Sequence, residues 1–157
     1  MKNSLKYIFF ITIFALLGFS REFLFVNTNN QLFKLYYHNE DIKIPTSLDF
    51  LTHLEYSTLY YLKYVFTIIY FLAYLLASYF AIKHICLNKK NTQWVIYIYA
   101  ILLVLSGISM AYNYLINNQL NGDEYTFSRW LMGIAQSPLV AFFMIASSKL
   151  YNKFQTE

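Results

Sequence analysis

The sequence predicts an all-α protein, a bundle of four transmembrane helices with short interfacial helices between the first two. Three observations carry that expectation. Apolar residues make up 58% of the chain and charged ones 13%, whereas soluble domains run at ~45–50% and ~25%. Two prolines and four glycines are spread over 157 residues, so little interrupts a long helix. From Thr58 to Leu87 the only charges between the ends are Lys63 and Lys83. A helix of ~20 apolar residues at ~1.5 Å each already crosses the ~30 Å hydrocarbon core of a bilayer. The expected layout is a single integral membrane domain over 1–157, with spans near 5–21, 58–83, 93–116 and 127–148 and an outer segment over 22–57.

Met1 to Lys6 is a short basic head, and Tyr7–Phe19 is apolar apart from Thr12 and Gly18. Two readings of this stretch stand. Gly18 and Ser20 offer small residues where a signal peptide could be cleaved. Against that, Arg21-Glu22 leads directly into more apolar residues, Phe23 to Val26, which favours an uncleaved first span. The interval that follows is polar, with Asn27-Thr28-Asn29-Asn30, His38-Asn39-Glu40-Asp41 and Pro45. Phe23, Phe25, Leu32, Phe33, Leu35 and Tyr36 nevertheless keep it sticky. Thr46 or Ser47 ahead of Leu48, Leu51 and Leu54 reads as the N-cap of a short amphipathic helix. Two short helices in the headgroup region are therefore expected here, with tyrosines where their rings prefer to sit.

The second span carries Tyr60, Tyr61 and Tyr64 at one end and Tyr79 near the other. Lys63, about a turn inside the boundary, is expected to extend its ammonium to the headgroups. Ala73, Ala77 and Ala81 recur every four residues, a seam that lets another helix approach closely. Lys83, His84, Lys89 and Lys90 form a basic turn in which His84 reads as a solvated residue. The third span places Ser106, Ser109 and Asn113 on one face, with Gly107 and Ala111 alongside. Asn121-Gly122 is a strong turn signal, followed by Asp123 and Glu124. In the fourth span Arg129, Gly133, Gln136, Ser137 and Val140 share a face. Pro138 removes a backbone donor and predicts a kink near mid-membrane. Gly133, Ser137 and Ala141 make a second small-residue seam that could dock on the alanine seam.

Lysine and arginine counts set an orientation. With both termini inside, the inner ends hold Lys2, Lys6, Lys83, Lys89, Lys90, Lys149 and Lys153. The outer side holds Arg21, Lys34, Lys43, Lys63, Arg129 and seven of the eight acids, as the positive-inside rule requires. Heavy use of Lys, Asn, Ile, Tyr and Phe fits an AT-rich bacterial genome, and so a bacterial inner membrane. The net charge of +4 belongs to this pattern. A nucleic-acid surface would instead need a basic patch with spaced stacking aromatics.

Catalytic signatures are absent: there is no HExxH, no GxSxG, no pair of aspartates within a span and no glycine-rich phosphate loop. Cys86 has no other cysteine to pair with, and as a nucleophile it would need a base and a pocket. One histidine beside one cysteine makes no zinc site. No enzyme activity and no cofactor or metal is expected. The residues with interaction chemistry are Arg21, Glu22, Asn113, Arg129 and Gln136, a polar cluster expected on the outer half, with Asp123 and Glu124 as further counter-charges. Ionisable groups at a membrane mark function by default, although arginines at helix ends also serve as anchors. The serines and asparagine of the third span read first as interhelical hydrogen-bond glue.

Arg21-Glu22-Phe23-Leu24-Phe25, Leu62-Lys63-Tyr64, Arg129-Trp130-Leu131 and Gln136-Ser137-Pro138-Leu139 give the chain a layout that resembles small flavobacterial-type integral membrane proteins, including the exosortase F system-associated family. That resemblance implies an accessory to surface-protein sorting, not the sorting enzyme. Two functions follow. One is a non-catalytic accessory or assembly partner of a larger membrane complex, working with a membrane-protein partner or a second copy. The other is a small carrier or ligand-binding protein using Arg129, Asn113 and Gln136 on a polar or anionic substrate. The absence of an internal repeat favours the first.

Overall fold

The computed structural model describes residues 3–38, 42–86, 89–117 and 126–156. Among them every regular element is helical: α1 (Asn3–Tyr37), a 3₁₀ helix (Thr46–His53), α2 (Tyr56–Ile85), α3 (Lys89–Asn117), α4 (Thr126–Ala135) and α5 (Leu139–Thr156). Helices α1, α2 and α3 are long and apolar enough to cross a bilayer. Helices α4 and α5, bent by 60° at a short break, make a fourth span if the pair is counted as one. Helices α2 and α3 cover the residues expected for the second and third spans, and α4 with α5 those expected for the fourth. The chain divides into two compact units, one of Met1–Phe14 with Phe71–Glu157 and one of Ala15–Tyr70.

The first expected boundary is corrected. Helix α1 does not stop at Arg21 but runs for 35 residues, and no separate interfacial helix follows it before Tyr37. Nothing in 19–37 forces a stop, since the nearest proline is Pro45. Asn27 and Thr28, which read as a loop signal, turn back on their own helix. Asn27 Nδ2 donates to the Phe23 carbonyl and Thr28 Oγ1 to the Leu24 carbonyl, each at 2.7 Å. Their polar atoms are thereby satisfied without leaving helical geometry, and both side chains are buried. His38, at φ 52°, ends the helix in the left-handed conformation common at helix C-termini.

The 3₁₀ helix is the short helix expected near Ser47, with a different geometry. Its N-cap is Pro45, with no side-chain cap, and the Leu48 N–H donates to the Pro45 carbonyl at 2.9 Å. The segment kinks at Leu48 (φ −118°, ψ 24°) and gives way to extended backbone at Leu54. Leu51 is fully buried, and with Leu32 of α1 and Leu59 of α2 it forms the core of this unit. The segment is therefore packed between α1 and α2, with Phe23, Leu24 and Leu62 around it. Tyr56, Tyr60 and Tyr64 continue as a ladder up α2, with the Tyr60 and Tyr64 hydroxyls 3.0 Å apart.

In the other unit, neighbouring helices run antiparallel. Phe10 stacks on His84 and Phe14 on Tyr74, so α1 and α2 oppose each other. Phe14 also meets Phe142 edge-on at 5.9 Å, and Lys149 lies 4.5 Å from the Tyr7 ring, which sets α5 against α1 in the same sense. The expected kink is present, and its chemistry is local. Pro138 cannot donate to the Ile134 carbonyl, so that oxygen accepts from Ser137 N at 3.2 Å and Ser137 Oγ at 2.7 Å. The same Oγ accepts from the Leu139 N–H at 3.3 Å. Ser137 thus caps the start of α5, and Pro138 stands immediately before its first residue, where a missing N–H costs little. The helix resumes with Phe142 N donating to the Pro138 carbonyl at 3.0 Å.

Candidate functional site

Helix α3 is the hub of the polar interior. Asn91, Tyr99 and Ser106 lie along it at roughly two-turn intervals, and each reaches a different neighbour. Asn91 Nδ2 donates to Ser148 Oγ of α5 at 2.7 Å. The Tyr99 hydroxyl and Ser78 Oγ of α2 share a hydrogen bond of 2.9 Å, with both side chains fully buried. Ser106 and Ser128 of α4 share one of 2.7 Å, and the Ser106 hydroxyl also lies 3.4 Å from the Ser128 carbonyl. In lipid such bonds are worth ~0.6 kcal/mol on average. Their net value is small because polar side chains also find partners in the unfolded, membrane-inserted state, but their directionality fixes which faces meet. The expectation of hydrogen-bond glue on the third span therefore describes Ser106. Ser109 is half-buried. The side chain of Asn113 lies outside the described residues, as do Asp123 and Glu124.

The residues expected to form one outer cluster have different surroundings. Arg21 and Glu22 belong to the unit 15–70, and Asn113, Arg129 and Gln136 to the other. Arg21 is half-buried with its guanidinium 5.3 Å from the Phe25 ring, and Phe25 in turn packs on Tyr70. This cation–π pairing fits an anchoring arginine. Glu22 is exposed. Arg129 is exposed whereas Gln136 is only 4% exposed. Gln136 N still donates to the Met132 carbonyl at 2.8 Å, and the break follows it.

The two small-residue seams also differ from one another. Ala81 and Ala141 are fully buried and Ala73 and Ala77 half-buried. A Cβ placed on Gly133 or on Gly107 would meet nothing within 4 Å, with Gly133 half-buried and Gly107 exposed. Ser137 serves the helix break rather than a seam. His84, read as simply solvated, is exposed but carries two contacts: its ring stacks on Phe10, and its carbonyl accepts from Lys6 Nζ at 3.2 Å.

Sequence reasoning did not single out a cavity of about 330 Å³ flanked by the first turns of α1 and by α5. Tyr7, Phe10 and Phe14 line it from α1, and Phe142, Ile145 and Lys149 from α5. Each set follows helical spacing, so the two stripes were visible separately; that they face each other is tertiary information. Among the described residues no group of three or more His, Cys, Asp or Glu could hold a metal ion. Compared with known proteins, the chain matches no family model, no curated protein and no solved structure.

Proposed function

We propose that this chain is a non-catalytic accessory or assembly partner of a larger membrane complex. In this reading it is a bundle of four spans in a bacterial inner membrane, with both termini on the cytoplasmic side. The observation that carries the reading is the mutual pairing of polar side chains inside the unit of Met1–Phe14 with Phe71–Glu157. Ser78 with Tyr99, Ser106 with Ser128, and Asn91 with Ser148 are occupied by one another. Arg129, Glu22 and Gly107 are exposed and offer groups that can meet another molecule. Gly107 with Ala111, both exposed, offers the small-xxx-small step that lets a foreign helix approach closely. The resemblance to the exosortase F system-associated family adds surface-protein sorting as the process served. The carrier reading, with Arg129, Asn113 and Gln136 on a polar or anionic substrate, is the alternative.

The test is a mild-detergent purification of the tagged protein from its native membrane, in parallel with Gly107→Leu and Gly133→Leu variants. The expected result is a stoichiometric membrane partner with the parent chain, lost with at least one variant while the variant itself remains folded. Recovery of the parent alone overturns the reading. A reporter fused to the C-terminus checks the orientation, and an extracytoplasmic signal would sink it.

A further inference from the structure

We propose that the groove between α1 and α5 is a site for an anionic phospholipid. One acyl chain lies in the groove, and the phosphate is met by Lys149 with Lys6 close by. The proposal uses the membrane reading of the helices but stands apart from the partner reading. Three features converge on it.

The first is shape and lining. A volume of about 330 Å³ falls at the lower end of the ~300–1,000 Å³ of small-molecule sites. Phe10, Phe14, Ile85, Phe142, Ile145 and Ala146 give it hydrocarbon walls. It runs along two antiparallel helices, from the Phe14–Phe142 contact to the Tyr7–Lys149 contact, a seven-residue advance of ~10 Å on each. A long narrow slot of that kind suits an extended chain, whereas an α-helix is itself ~10–12 Å wide.

The second is where the groove opens. Ile11, one of its walls, is 53% exposed, and neighbouring Ile8 and Phe143 are also exposed. The opening is thus bordered by the apolar surface that faces lipid tails.

The third is charge at one end only. Lys149 sits at the Tyr7 end of the slot. Lys6 lies one residue before Tyr7, with Nζ 3.2 Å from the His84 carbonyl. Lys83 is exposed near the C-terminal end of α2. No Asp or Glu occurs in 1–21, 56–122 or 125–156, the segments that hold these lysines. An apolar slot with Lys149 at one end and Lys6 close by is complementary to a lipid with a negative headgroup. Basic pockets between spanning helices bind such headgroups for the same reason.

The experiment is native mass spectrometry of the full chain in mild detergent, titrated with phosphatidylglycerol or phosphatidylcholine of identical acyl chains. The parent should retain one phosphatidylglycerol in preference to phosphatidylcholine. Lys149→Gln should lower that preference about five-fold, and Lys90→Gln, outside the groove, by less than two-fold. Ala146→Phe, which fills the slot, should weaken retention of both lipids. Because that variant could perturb folding, the comparison of the two lysine variants carries the decision. Equal retention of the two lipids overturns the proposal, as does an equal effect of Lys149→Gln and Lys90→Gln. Competition by inorganic phosphate as effective as that by the whole lipid would also overturn it, since the slot would then be irrelevant.

Discussion

Replacing Ser137 by alanine tests the account of the bend between α4 and α5. One oxygen performs two tasks there. It donates to the Ile134 carbonyl, orphaned by Pro138, at 2.7 Å, and it caps the Leu139 N–H at 3.3 Å. Loss of a helix N-cap costs ~0.5–2 kcal/mol, typically ~1. Loss of a side-chain bond to a buried carbonyl adds roughly 0.5–1.5 kcal/mol. The Ile134 oxygen keeps its contact with Ser137 N at 3.2 Å, which places that second contribution at the low end. The expected destabilisation is therefore ~1–2 kcal/mol, read as reversible unfolding in mixed micelles of mild detergent and dodecyl sulfate.

The decisive comparison is with Pro138→Ala. Alanine restores an N–H that can reach the Ile134 carbonyl, so the cap is needed less in that background. The double-mutant cycle should show coupling of at least ~0.5 kcal/mol. If Ser137→Ala cost less than ~0.3 kcal/mol, or cost the same with and without Pro138, the local hydrogen bonds would not be what holds the break.

Two further outcomes follow from buried contacts. Tyr99→Phe removes the hydroxyl bonded to Ser78 in a fully buried site. It should cost ~1 kcal/mol, most of it recovered when Ser78→Ala removes the stranded partner as well; a double variant as unstable as the single one would refute the pairing. Leu51→Ala empties a position with no exposure in the core shared with Leu32 and Leu59, and should cost ~2–5 kcal/mol in thermal unfolding. A neutral Leu51→Ala would mean that the 3₁₀ segment does not pack as described.

The long apolar runs made α2 and α3 legible, and Ser137-Pro138 made the break legible, because those signals are local. Helix α1 was misjudged at its C-terminal half for a specific reason. Asn27-Thr28-Asn29-Asn30 matches a loop by composition, yet Leu24, Thr28, Gln31, Leu32 and Leu35 recur at helical spacing, and that stripe is the face that packs. Similarly, the apolar pattern of Leu48, Leu51 and Leu54 signals a short helix without specifying its type. Ser106 was identifiable from the polar stripe on α3, but its partner was not. Ser128 carries no signal of its own, because the pairing depends on how two distant segments of chain pack. The same limit hid the groove: Lys149 was visible as a terminal lysine, and only the packing sets it over Tyr7.

The break and the groove are one construction. Leu139–Leu150 extends ~18 Å beyond the hinge at ~1.5 Å per residue, and the two arms meet at 60°. Swinging an arm of that length through such an angle moves its far end by a distance comparable to the arm itself. If α4 continued straight through 136–138, Lys149 would therefore lie far from Tyr7, and Phe142 would withdraw from Phe14. The hydrogen bonds of Ser137 keep the bend from stranding backbone groups. The buried Ala135, Val140 and Ala141 around it provide packing on both sides. A strong local perturbation, a proline just before the last helix, thus becomes a device that turns α5 toward α1 and brings a lysine to the end of an apolar slot. Neutral hydroxyl and amide pairs fix the other faces of the same unit, and of its described charged side chains Lys6, Lys83, Lys90 and Arg129 lie near the ends of their helices. That division accords with the ~2.5–3.5 kcal/mol penalty of a charge at mid-membrane, and it puts the chemistry with reach into the surroundings on the unit's outer surface.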